Sequence, residues 1–260
     1  MTNLNASEKS KGVVIFATNT ATIDYLAIAR HAEQLINHYL KLPVTIISND
    51  TTTTTNQRYN IDTGQFDLWN NSLRCQAYEL SPYDQTILLD SDYFVLDDSL
   101  LKLLDSVQDY KIIRNNIYID GAPSDTLGKY SIPSLWATII AFDRTPKSKM
   151  LFDLVARVER NYSYYRRLYN IQATNFRNDF AFTIADNILN GYCQDPTNYI
   201  PWPMLSVNTP IDSLELQGSK LYIKTKDQAY VTPKQSIHIM GKAWLTSDAC
   251  ADFVKEAVNA

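Results

Sequence analysis

The chain has 260 residues, 45% hydrophobic and 20% charged, with a net charge of −4 and a pI near 5.4. Such a chain can bury the core of one large α/β domain, and its acidic average excludes a general polyanion binder while leaving local patches open. No run of about 18 uncharged apolar residues occurs, the first eleven residues lack the apolar core of a signal peptide, and Cys75, Cys193 and Cys250 form neither a CxxC pair nor a disulfide framework, so the expectation is a cytoplasmic protein without a membrane segment.

After a polar leader over 1–11, a single domain is expected over 12–260. Val13-Val14-Ile15-Phe16-Ala17 predicts a buried strand that ends in Thr18-Asn19-Thr20. From Ile23 to Leu40, Leu26, Ala29, Ala32, Leu35, Ile36 and Tyr39 recur at helical spacing, and Pro43 ends the pattern. Val44 to Ile47 predicts a second strand, and the polar run Thr51 to Thr55 a connection. A helix over Leu73 to Leu80 and a turn at Ser81-Pro82-Tyr83-Asp84 lead into the apolar strand Thr86-Ile87-Leu88-Leu89, which stops at Asp90-Ser91-Asp92. Asp98 and Ser99 are suited to cap a helix through Leu104. Lys111 to Ile113 and Trp136 to Phe142 predict further strands, with irregular sequence between Gly121 and Pro133, and helices follow Pro146 and Asp179. Strands alternating with helices predict an α/β fold: a mixed, mostly parallel sheet with helices on both faces and ligands beyond the carboxyl ends of its strands.

Asp90 stands at such an end. Two carboxylates one residue apart after a buried strand can both reach a hard cation, and a diphosphate can supply further oxygens. An ion bridging those phosphates would stabilise the charge that grows on a nucleoside diphosphate leaving group. The same pair can equally make turn or cap hydrogen bonds. As a metal ligand Asp92 is expected outside the core.

The strand, Asp-x-Asp and the continuation Tyr93-Phe94-Val95 resemble the metal-binding segment of GT-A glycosyltransferases. Near the end, Ser236-Ile237-His238-Ile239-Met240-Gly241-Lys242-Ala243-Trp244 resembles the His-x-x-Gly-x-x-Lys-Pro-Trp segment of the glycogenin and bacterial galactosyltransferase group, glycosyltransferase family eight. It departs from that pattern in the shortened Gly241-Lys242 spacing and in Ala243 where the group has proline. The resemblance implies a single GT-A, Rossmann-like domain. Asp90, Asp92 and His238 would hold Mn²⁺ or Mg²⁺, Gly241 would admit phosphate to the backbone, and Lys242 would pair with the diphosphate. Imidazole, glycine and ammonium each suit those roles chemically. The alternatives are a core histidine for His238, a surface lysine for Lys242 and a packing role for Trp244.

By the same resemblance, Arg74 and Ser91 lie near the nucleotide and Thr18 and Asn19 near its base, although a helix-surface charge and an ordinary turn explain Arg74 and the latter pair as well. Asn178-Asp179 resembles the pair that retaining GT-A enzymes place beside the transferred sugar, and a helix cap is the competing reading. The donor implied is a UDP-sugar, transferred with retention to an acceptor hydroxyl.

Arg144 to Arg177 holds eight Lys or Arg against Asp153 and Glu159, a local +6 in a chain of −4. Within it, Arg166, Arg167 and Arg177 beside Tyr165 suit an anionic acceptor such as DNA, as in phage enzymes that glycosylate modified bases, which would then act in the host cytoplasm. They equally suit a solvated helix whose tyrosines pack inward. Three rivals stand beside the glycosyltransferase reading. A haloacid-dehalogenase-type phosphatase also uses Asp-x-Asp but carries it on its first strand. A nucleotidyltransferase has a Gly-rich basic loop where Thr18 to Asp24 has neither Gly nor Lys or Arg. The third rival is a nucleotide-binding protein that has lost catalysis.

Overall fold

A computed structural model describes residues 9–48, 57–60, 65–68, 73–122, 126–127 and 132–259. The Thr51–Thr55 connection lies outside them, as do most of the leader and parts of the Gly121–Pro133 segment. The strand Lys11–Ala17 forms because six successive residues from Gly12 can be covered on both sides: Val13, Ile15 and Ala17 join one core cluster, Val14 and Phe16 another. The first cluster is closed by the helix Tyr25–Tyr39 through Ala29, Ala32 and Ile36, and by Leu103 and Leu104. The second is closed by the helices Pro146–Arg160 and Asn178–Leu189, through Phe152, Val155, Phe182 and Ala185. Helices therefore cover both faces of the sheet.

The central sheet runs in the order Val44–Ser48, Lys11–Ala17, Gln85–Leu89, Trp136–Asp143, Tyr110–Ile113. Its first two pairings are parallel and its last two antiparallel, so it is mixed, with the parallel share confined to one half. A second sheet runs Tyr93–Phe94, Ile237–Ile239, Met204–Val207, Asn116–Tyr118. The Asp90–Asp92 turn joins the two sheets: Asp90 N–H donates to Thr138 O (3.0 Å) in the first and Ile239 N–H donates to Asp92 O (2.9 Å) in the second.

Helix starts follow local chemistry. Asp24 caps Tyr25–Tyr39 by accepting from Ala27 N–H (3.0 Å), and Thr145 caps Pro146–Arg160 with Pro146 in its first turn. The helix expected after Asp98-Ser99 runs Leu101–Ser106 without a side-chain cap, because Asp97 instead accepts from Ser99 N–H and holds the preceding turn. Leu73–Leu80 resolves into the 3₁₀ turn Arg74–Gln76 and the short helix Ala77–Leu80. The antiparallel meander Ile211–Gln217, Lys220–Thr225, Ala229–Pro233 has no counterpart in the sequence reading, and it shares a core with the last helix, Asp248–Asn259.

Gly12 is fixed by a close approach. A Cβ there would lie 2.3–2.5 Å from ring carbons of Tyr83, whose hydroxyl is tied to Thr45 Oγ1 at 2.9 Å. Gly12→Ala is expected to cost about 1–3 kcal/mol as an overpacked site, read from the urea midpoint, and an unchanged midpoint would mean that the Tyr83 ring is not held there.

Candidate functional site

The strand Gln85–Leu89 is buried along its whole length and lies in the middle of the central sheet, so the turn that follows it has little freedom. That turn presents Asp90 and Asp92, and the adjacent strand Ile237–Ile239 brings in His238, directly opposite Tyr93 in register. One ligand atom from each of Asp90, Asp92 and His238 lies within 4.8 Å of the others. Residues about 150 positions apart are thus gathered by two short strands.

The electrostatics of the cluster are those of acids already matched by cations. The Arg74 guanidinium is 2% exposed, donates to Asp90 Oδ1, and donates through its second nitrogen to Ala137 O at 2.6 Å. A helix-surface charge is therefore the wrong reading of Arg74. Burial pushes the Asp90 carboxyl up, but the Arg74 guanidinium, helped by Lys242, outweighs it and holds it below the ordinary carboxylate value. Lys242 Nζ contacts Asp92 Oδ2, so Lys242 is not a free surface lysine, and burial lowers its affinity for a proton against the pull of Asp90. Asp92 is 6% exposed, which corrects the expectation that it stands outside the core. Burial also lowers the pKa of His238, which favours the neutral imidazole that a metal requires.

His238 Nε2 lies 3.6 Å from Asp92 Oδ2, too far for a hydrogen bond and suited to two ligands of one ion. Two carboxylates and an imidazole make a donor set that Mn²⁺ accepts readily and Mg²⁺ less so. The residues present therefore fit a divalent cation.

Beside Asp90 opens a cleft of about 210 Å³, lined by Arg74, Asp90, Ala137, Phe176, Arg177, Asn178 and Asp179. Asp179 does not cap its helix: Arg177 holds the N-cap position, and Asp179 accepts from Ala137 N–H (2.8 Å) and Arg177 Nη2 (2.8 Å). Its carboxylate is thus anchored against the strand Trp136–Asp143, facing the same cleft as Asp90.

The other expected site residues are placed differently. Asn19 Oδ1 accepts from Leu26 N–H (2.9 Å), so it organises the start of the first helix, and Thr18 is half-buried beside it. Ser91 is buried within the turn. Gly241 has an ordinary extended backbone, and a Cβ there would meet nothing closer than 3.7 Å, so the protein's own packing does not require glycine. Tyr165 is buried in the core, which removes it as a stacking platform, and Arg166 braces the following loop through Ala173 O (3.0 Å). Arg167 and Arg177 are exposed. Trp244 packs between Phe94 and Phe253, as its alternative reading held.

Sequence reasoning passed over Thr138, Phe176, Asn116 and Ser206. A strand position gives no chemical signal for Thr138, Asn116 or Ser206, and only the pairing of Met204–Val207 with Ile237–Ile239 sets Ser206 beside His238.

No family model matches the chain, and no curated protein does. Among solved structures, the galactosyltransferase LgtC in complex with donor and acceptor sugar analogues is similar over 95% of this chain and 95% of its own, at 12% identity and a TM-score of 0.48. Mouse xyloside xylosyltransferase 1 in its apo form is similar over 70% of this chain and 83% of its own, at 9% and 0.40. The glycosyltransferase GlyE of Streptococcus pneumoniae TIGR4 is similar over 69% of this chain, at 14% and 0.38. The chain spans 43% of the length of GlyE and 38% of the bifunctional glycosyltransferase WbbM. At these levels of likeness the geometry of the site carries the functional argument.

Proposed function

We propose that this chain is a metal-dependent glycosyltransferase of the GT-A type, a single catalytic domain that moves a sugar from a nucleoside diphosphate to an acceptor hydroxyl. The observation that carries the reading is the convergence of Asp90, Asp92 and His238 at the end of a central strand, next to a polar cleft with its own buried arginine. In this reading the three residues hold Mn²⁺ or Mg²⁺, and the ion's chemistry is to neutralise charge growing on the departing diphosphate. Arg74 and Lys242 are the fixed cations beside that charge.

The cleft is smaller than the roughly 300–1,000 Å³ that holds a drug-sized ligand, and it suits one sugar ring. Its lining of carboxylate, guanidinium and carboxamide matches sugar hydroxyls, with Asp179 and Asn178 binding the transferred ring. In this reading Asp179, whose carboxylate is held by two donors, stabilises positive charge developing on that ring, the chemistry expected of a retaining enzyme. A UDP donor is the expectation of the resembling family. For the acceptor, Arg177 at the cleft and Arg167 on the exposed helix favour an anionic molecule, with DNA as one candidate.

The test is a panel of nucleotide sugars incubated with the protein and Mn²⁺, with free nucleoside diphosphate as the readout. Release from one sugar donor, without hydrolysis of phosphate monoesters, supports the reading. Monoester hydrolysis alone would move the site to the phosphatase class.

Lys242 gives a separate prediction. Its ammonium competes with any added cation for Asp92, so Lys242→Met should tighten binding of Mn²⁺ alone by about tenfold, equal to ~1.4 kcal/mol, while weakening that of UDP. Calorimetry reads both. Unchanged affinities would mean that Lys242 does not rest on Asp92 in solution.

A further inference from the structure

Behind His238 the second sheet carries a buried polar chain that no sequence motif announced. Ser206 and His238 are partners in the parallel register of Met204–Val207 with Ile237–Ile239, so their side chains lie on one face. Ser206 Oγ is 3.1 Å from His238 Nδ1, and Ser206 Oγ–H donates to Asn116 Oδ1 at 2.6 Å. Ser206 is fully buried, and Asn116 and His238 are nearly so. Trp136 meets the imidazole at 70° with ring centroids 6.4 Å apart and limits its rotation.

We infer that Asn116 and Ser206 are positioning residues that fix His238 as its Nδ1–H tautomer and leave the Nε2 lone pair facing Asp92. A hydroxyl has one proton. Since Ser206 gives its proton to the Asn116 oxygen, its own oxygen can only accept from Nδ1, and the neutral ring then carries no proton on Nε2. That is the state in which a histidine can bind a cation, and the partner on its far nitrogen is what selects it. Asn116 Nδ2 is buried with no partner among the described residues. Turning the amide over would make Asn116 donate to Ser206 Oγ, send the hydroxyl proton to Nδ1 and put the ring proton on Nε2, so the tautomer follows from the Asn116 oxygen facing Ser206. The inference rests on the proposed role of His238, but the tautomer exists without any metal.

The experiment is therefore run on the full chain after chelator treatment. Long-range ¹H–¹⁵N correlation spectra report the tautomer of each histidine, and with three in the sequence, His31, His38 and His238, assignment by single substitution is direct. Wild type should show His238 with its proton on Nδ1. Ser206→Ala should give a mixture of tautomers, while Ser206→Thr and Asn116→Asp, which keep the hydroxyl and the acceptor oxygen, should restore the wild-type pattern. Calorimetry with Mn²⁺ alone should show Ser206→Ala binding some 10–100-fold more weakly. An Nε2–H tautomer in wild type, or a tautomer indifferent to Ser206→Ala, would overturn the inference. If the tautomer behaves as stated and wild type does not bind Mn²⁺, the metal reading fails and the relay stands.

Discussion

Asp92→Asn should lose a hundredfold or more of the metal-dependent transfer rate. The substitution keeps the shape of the side chain and one oxygen but removes the charge on the carboxylate that lies 3.6 Å from His238 Nε2 and in contact with Lys242. If a cation held there is the main stabiliser of the departing diphosphate, the loss corresponds to about 2.7 kcal/mol or more of transition-state stabilisation. Steady-state rates at saturating Mn²⁺ measure it, with circular dichroism confirming the fold. Stability is also expected to fall, by about 1 kcal/mol, because Asp92 is buried and its loss leaves the Lys242 ammonium facing an amide. A variant with full rate would remove the carboxylate pair from the mechanism.

Asp90→Asn should produce the larger change in stability. Arg74 is 2% exposed and Asp90 is its ion-pair partner. Removing one member of a fully buried ion pair costs about 3–5 kcal/mol. Asp90 retains 23% of its side-chain exposure, so water screens part of the lost charge and about 2–3 kcal/mol is expected. Adding Arg74→Met to Asp90→Asn removes the stranded cation and should recover at least half of the loss. Urea unfolding of the single and double variants decides it. An Asp90→Asn midpoint equal to that of wild type would mean that the pair does not form.

The strands of the central sheet were legible because each is a short apolar run bounded by turn chemistry, and the long helices because their apolar residues keep a period near 3.6. Asp90, Asp92 and His238 were singled out by a resemblance, the Asp-x-Asp after an apolar strand and the segment around His238 being similar to those of GT-A glycosyltransferases, and the fold brings the three together. The surroundings of Arg74 and Asp179 were not legible. An arginine after Leu73 looks like any helix residue until the fold turns it inward beneath Asp90, and an Asp at a helix start looks like a cap until Ala137 N–H claims it. The meander over 211–233 was missed because Ile211 to Leu216 alternates through charged residues on an exposed face, a weak pattern without its neighbours. Tyr165 shows the opposite error: aromatics among arginines suggested a stacking surface, and helical spacing placed this ring in the core.

In the proposed mechanism Asp90, Asp92 and His238 bind a nucleoside diphosphate through a divalent cation. Calorimetric titration of the protein with UDP, with and without Mn²⁺ and alongside Asp92→Asn, tests it most directly. UDP binding should require Mn²⁺ and disappear in the variant. Absence of Mn²⁺-dependent binding to UDP, GDP and other nucleoside diphosphates alike would contradict it and leave the Asp-Ser-Asp turn as a structural joint between two sheets.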